Sequence, residues 1–190
     1  MNQLMAVLAA TAFLWPLSVP PGSEDVVFPA DSGVVDLTRP PYGAKGDGVT
    51  DCTDAINRAL EDQNGSLGIL YLPQGTYLIS NTLRWGLKKN HPASGTTLQG
   101  QSQVKTILKL KDSCAGYGDA SKPKSMVWTG PAPAQRFGNS IRNLTFDVGK
   151  GNPGATGLQY IANNQGTLRD VLVRAPAGSG VTGLDMVFEN

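Results

Sequence analysis

Ile141-Arg142-Asn143-Leu144-Thr145-Phe146 is answered 27 residues later by Leu168-Arg169-Asp170-Val171-Leu172-Val173, and Thr156-Gly157-Leu158-Gln159 is answered 26 residues later by Thr182-Gly183-Leu184-Asp185. Two separate strand-like segments therefore recur at nearly one period, with glycine-rich turns between them. That is the signature of a solenoid whose coils each hold several strands and stack equivalent residues on one another. A hairpin pair would not give so long a period. A leucine-rich repeat would, but it needs a denser leucine consensus than this stretch has. The repeat predicts a parallel β-helix, with Leu144 above Val171 and Phe146 above Val173 inside it.

Working back from the repeat, short apolar runs punctuated by turns read as strands: Ile69 to Leu72, Thr76 to Ile79, Thr97 to Gln99, Thr106 to Leu110 and Ser125 to Thr129, with a Pro73-Gln74-Gly75 turn after the first. Leu108-Lys109-Leu110-Lys111 alternates cleanly, leucines to one face and lysines to a solvated one. Only Asp51 to Asp62 shows helical spacing, through Cys52, Ala55, Ile56, Ala59 and Leu60, with Thr50 or Asp51 placed to cap its first turn and Asn64-Gly65 to end it. The chain has 190 residues, with 23 Gly and 13 Pro, a composition suited to frequent turning between short strands and long enough for one ordinary core. A formal net charge of +1, with no run of Lys or Arg, argues against nucleic acid or an anionic membrane as partner.

Leu4 to Trp15 is a nearly unbroken apolar run followed by Pro16, Ser18, Pro20, Pro21 and Gly22. It is too short to cross a bilayer core, which takes about 20 helical residues, and reads as a signal peptide over residues 1–22, with the β-helix domain over 23–190. The expected location is extracellular or periplasmic. Cys52 and Cys114 can form one disulfide or stand as two buried thiols.

The segment PPYGAKGDGVTDCTDAINRAL, Pro40 to Leu60, resembles the opening signature of the pectate-lyase-like superfamily, which includes polygalacturonase-related, rhamnogalacturonase and epimerase-like proteins. GILYLPQGTYLIS (Gly68 to Ser80), TTLQGQS (Thr96 to Ser102) and the paired coils from Ser140 follow that family's layout, so the resemblance runs from about Val34 to the last residue. It implies an all-β, right-handed parallel β-helix whose helix after the GAKGDG turn caps the open end, as an uncovered coil would expose apolar residues and unpaired backbone. Cys52 stands where relatives carry a polar residue. The chain stops at Phe188-Glu189-Asn190 within a repeat, where relatives continue, so a truncated solenoid is expected.

Gly178-Ser179-Gly180-Val181-Thr182-Gly183 satisfies GxGxxG but is followed by a strand rather than a helix, and reads as a turn. The single histidine, His91, sits in a loop and cannot build a triad or, with two distant cysteines, an ordinary zinc site. No metal ligand set is visible. Asp47 and Asp51 suit a turn and a helix cap.

Sugar chemistry calls for paired carboxylates, and adjacent coils lie about 4.8 Å apart, so acids stacked on acids are the pattern to seek. The repeat puts Asp170 on Asn143, Asp185 on Gln159 and Asp147 opposite Arg174, with no acid on an acid. Asp170 and Asp185 are retained as catalytic candidates, with the true pair expected in coils beyond Asn190. Arg142 on Arg169 forms a ladder that could grip a uronate carboxylate or simply be solvated. Trp85, Trp128 and Tyr160 could stack on sugar faces, but aromatic residues in an all-β chain are more often core, and none is assigned to a site. The resemblance implies a polysaccharide-active enzyme, a glycoside hydrolase (polygalacturonase-related) before a polysaccharide lyase. A lyase would need calcium on clustered acids, and otherwise no cofactor is implied. A non-catalytic, tailspike-like adhesin that binds carbohydrate is the alternative. Oligomeric state cannot be read.

Overall fold

A computed structural model describes residues 26–86, 94–130 and 136–187, so the leader, His91 and residues 188–190 lie outside the described residues. The chain winds through β1 (Val34–Asp36), β2 (Asp47–Asp51) and α1 (Thr53–Asp62); then β3 (Ile69–Leu72), β4 (Gly75–Ile79) and β5 (Leu83–Arg84); then β6 (Thr97–Gly100), β7 (Thr106–Leu110) and β8 (Lys124–Trp128). Two further turns follow: β9 (Ser140–Asp147) with β10 (Ala155–Gln159), and β11 (Thr167–Arg174) with β12 (Thr182–Asp185). The described strands pair in parallel, each with its counterpart one coil away. Since parallel crossovers are right-handed in nearly every known protein, the result is an all-β, right-handed parallel β-helix.

The coil has three walls. β1, β3 and β6 form the first, β2, β4 and β7 the second, and β5, β8, β10 and β12 the third. β9 and β11 run through both of the first two walls: the front of β9 pairs with β6 and its back with β7. Both long strands bend at one place, Asn143 and Asp170, each with φ of 53°. Asn and Asp are the residues best able to enter that left-handed region without glycine. The register is unbroken on either side, Arg142 against Arg169 and Leu144 against Val171, as the repeat requires.

Inside, the walls contribute stacked apolar rows: Leu70, Leu98 and Ile141; Tyr77, Leu108 and Phe146; Leu83, Val127 and Leu158, all essentially inaccessible. Each such side chain is worth about 1.5 to 3 kcal/mol of burial. In the last described coil the rows are less covered, and Leu184 is 44% exposed. The turn through Gly178 and Gly180, with φ of 78° and 80°, leads into β12, as read from the sequence.

Helix α1 fills the third-wall position of the first coil, with Ile56, Ala59 and Leu60 fully buried. The Asn57 side chain stands in for a missing neighbouring strand, its Nδ2 donating to the Thr82 carbonyl (3.1 Å) and its Oδ1 accepting from the Arg84 N–H (2.8 Å). The edge of β5 is thus satisfied. The helix starts later than its periodicity predicts. Cys52 holds the cap position without a side-chain bond, and Asp51, one residue earlier, accepts from the Thr53 N–H (2.9 Å) and hydroxyl (2.6 Å).

Cys52 and Cys114 are two free, buried thiols, and burial pushes both thiol pKa values up. The Cys114 Sγ–H donates to the Ser80 carbonyl at 3.1 Å.

Candidate functional site

Because strand residues alternate in and out, the stack that buries one row inside presents another outside. On the third wall that outer row is Arg84, Trp128, Gln159 and Asp185, one residue from each of four successive coils and all in register. Four rungs span roughly 14 Å at about 4.8 Å per rung. The Arg84 guanidinium carbon lies 4.1 Å from the centroid of the Trp128 ring, a cation–π contact that fixes the indole and puts positive charge beside it. Gln159 accepts from the Ser125 hydroxyl at 3.4 Å, and Asp185 accepts from the Val187 N–H at 2.9 Å. The half-exposed indole, one face of which Arg84 covers, stands beside an amide, a carboxylate and a guanidinium, so that its remaining apolar surface adjoins groups able to bond sugar hydroxyls.

The first wall carries a different outer row: Asp36, Tyr71, Gln99, Arg142 and Arg169. Its beginning is covered, for Phe28 packs edge-on to Tyr71 with ring centroids 4.8 Å apart. Arg142 and Arg169 stack as the sequence predicts. Arg169 is exposed and pairs with Asp170 at 3.3 Å, while the Arg142 Nε is buried with no hydrogen-bond partner. The two candidate acids part company here, since Asp170 sits at the bend between the first and second walls and Asp185 on the third. Asp147, on the second wall, is bound by Arg174 at 2.8 Å through both Nε and a terminal nitrogen.

A cleft of about 540 Å³ opens beside the GAKGD turn, lined by Asp36, Lys45, Asp47, Gln74, Tyr77 and Gln101 among others. Its acids are already occupied. Asp47 accepts from the Thr50 N–H, the Thr50 hydroxyl and the Val49 N–H, which together hold its pKa down at about 2, and Asp36 accepts from the Thr38 N–H and hydroxyl. Both serve turns.

The model of the rhamnogalacturonase A/epimerase, pectate lyase-like family matches residues 41–190. The chain belongs to this family. Among curated relatives, the glucan 1,3-beta-glucosidase of Cochliobolus carbonum is 28% identical over 165 residues, which cover 78% of this chain and 20% of that protein. The non-secreted LysM effector LysM19 of Penicillium expansum is 47% identical over 129 residues, covering 68% of this chain and 9% of that protein. In three dimensions, the A-module of the mannuronan C-5 epimerase AlgE4 of Azotobacter vinelandii gives a TM-score of 0.49 at 20% identity, over 78% of this chain and 41% of that one. This pectate lyase-like chain therefore spans a fifth or less of the two curated relatives.

Within this pectate lyase-like coil, the aromatic reading divides. Trp85 and Tyr160 are core, at 1% and 5% exposure, but Trp128 lies on the outer row of the third wall, because its neighbour Val127 takes the inward place against Leu83 and Leu158. Of the residues in this candidate row, Arg84 was not singled out from the sequence and Trp128 was left unassigned. The available signal was the register itself: Gln159 and Asp185 were already aligned, and extending that alignment one coil back reaches Trp128. Among the described residues no group of three or more His, Cys, Asp or Glu is arranged to hold a metal ion, and no helix is long and apolar enough to cross a membrane.

Proposed function

We propose that this chain carries a saccharide-binding face of a polysaccharide-active β-helix enzyme, a glycoside hydrolase before a lyase, that acts outside the cell. The observation that carries the reading is the third-wall row Arg84, Trp128, Gln159 and Asp185, which runs along the solenoid axis and offers one group per rung to a linear polymer. Membership of the pectate lyase-like family supports a polysaccharide as ligand, and the glucan-cleaving relative supports hydrolysis over elimination. Arg142 and Arg169 make a second, cationic patch on the first wall, suited to the carboxylate of an acidic polymer.

Binding is the property to measure. Titration of the chain with neutral and uronate-containing oligosaccharides should show saturable binding, and Trp128→Ala should weaken it at least about tenfold, the loss of about 1.4 kcal/mol expected of a stacking platform. Unchanged affinity in Trp128→Ala would remove the third wall from consideration. Asp170 and Asp185 stand on different walls and do not form a pair, so within this stretch the reading rests on binding, the property that a carbohydrate-binding adhesin would share.

A further inference from the structure

Two segments carry the Asn-X-Ser/Thr signal for N-linked glycosylation, Asn64-Gly65-Ser66 and Asn143-Leu144-Thr145. The sequence treats them alike. The structure does not.

Asn64 follows the last turn of α1, one residue after its C-cap Gln63, in the corner that leads from the third wall to the first. The turn is fixed by two bonds to the next coil, the Ser94 N–H donating to the Asn64 Oδ1 at 3.0 Å and the Gly65 N–H to the Ser94 carbonyl at 2.8 Å. With Oδ1 held inward, Nδ2 has no partner among the described residues. Among the described residues the surroundings are open: Asn64 is half-buried, Gly65 and Ser66 are exposed, nothing lies within 4 Å of where a Gly65 Cβ would stand, and Leu67 is 83% exposed. Among the described residues no strand rung stands against this turn, which leaves room for a bulky polar substituent on Nδ2.

Asn143 is the residue at which β9 bends, with φ of 53°. Leu144 and Thr145 behind it are buried, and the Thr145 hydroxyl donates to the Gln103 carbonyl at 2.6 Å, so the loop at 101–105 closes over the signal. The neighbouring coil abuts it, for a Cβ on Gly100 would lie 2.2 Å from the Asn143 carbonyl oxygen. Asp170 occupies the equivalent place on the other side. An oligosaccharide here would have to share a corner already packed by three coils.

We infer that Asn64 accepts an N-linked oligosaccharide and that Asn143 does not. The reaction joins Nδ2 to the anomeric carbon of the first sugar and breaks that carbon's bond to the pyrophosphate of a lipid-linked oligosaccharide donor. The lipid pyrophosphate leaves, and the amide gives up one proton. Donor and transferase are those of a eukaryotic secretory lumen, so the inference rests on export but not on any saccharide-binding role.

The test is secretion of the full chain from yeast behind a heterologous leader, which removes dependence on residues 1–22. Intact-mass analysis before and after peptide N-glycosidase F should show one glycan. Asn64→Gln should abolish it, as should Ser66→Ala, which leaves the Asn64 to Ser94 bond in place. Asn143→Gln should leave the mass of the glycan unchanged. Secreted protein without a glycan, or a glycan retained in Asn64→Gln and lost in Asn143→Gln, would overturn the inference.

Discussion

At the scale of single residues, carboxylates in this chain mostly hold backbone. Asp47 is the clearest case, since the Thr50 N–H, the Thr50 hydroxyl and the Val49 N–H all point at it and keep its pKa at about 2. Asp112 is likewise held low, first by the Lys150 N–H. A carboxylate whose folded pKa is depressed below its unfolded value of about 3.9 stabilises the fold fully above that value, and the contribution is lost as pH falls toward 2. Urea midpoints measured from pH 7 to pH 2 should therefore fall through that window. Asp47→Asn should lower the midpoint at neutral pH and flatten the fall below about pH 4. A variant whose pH profile parallels the parent would show that Asp47 does not link protonation to stability. Buried polar side chains work the same way. Asn152, fully inaccessible, donates to the carbonyls of Lys111 and Val148 and accepts from the Cys114 N–H, tying three stretches of two coils together.

At the scale of elements, what could be read in advance depends on whether an element had to match a neighbour. β9 to β12 were legible because stacking forces like residues onto like positions, and the offsets of 27 and 26 appear unaltered as strand register. β5 is two residues long and β2 is almost wholly exposed, so neither carries the apolar alternation that marks a strand. Trp128 could not be assigned for a related reason: its own segment does not say which face is inward, and only pairing with Arg84, 44 residues earlier, decides it. The helix was legible from its stripe, and Asp51, one of the two residues read as placed to cap it, does accept from the first-turn Thr53 N–H and hydroxyl, although the helix itself starts only at Thr53. Ten residues make a marginal helix in isolation, so α1 is held by burial of Ile56, Ala59 and Leu60 and by the Asn57 clamp on β5. Leu60→Asp should accordingly cost about 2 to 5 kcal/mol and expose the end of the core. The outcome to look for is a lowered melting temperature with aggregation, and an unchanged melt would show that α1 is not a lid.

At the scale of the whole molecule, a three-walled coil decides which residues can act on the same polymer. Groups on one wall line up along the axis, whereas groups on different walls face different directions. Trp128 and Asp185 share the third wall, Arg142 and Arg169 the first, and Asp147 is committed to Arg174 on the second. Hydrolysis of a glycosidic bond needs two carboxyl groups about 5 to 5.5 Å apart for retention, or about 6.5 to 9.5 Å for inversion. Asp185 is the one acid in the strands of its wall, with Gln159 on the rung before it, and Asp170 lies at the opposite corner, paired with Arg169. This 190-residue chain should therefore release no measurable reducing ends from neutral or pectic polysaccharides, and should generate no absorbance from unsaturated uronate, with or without calcium. Binding that depends on Trp128 should persist under the same conditions, which separates an inactive chain from an unfolded one. Turnover that disappears in Asp170→Asn or Asp185→Asn would mean that carboxylates on different walls do meet on one substrate, and that the walls are not the units of function.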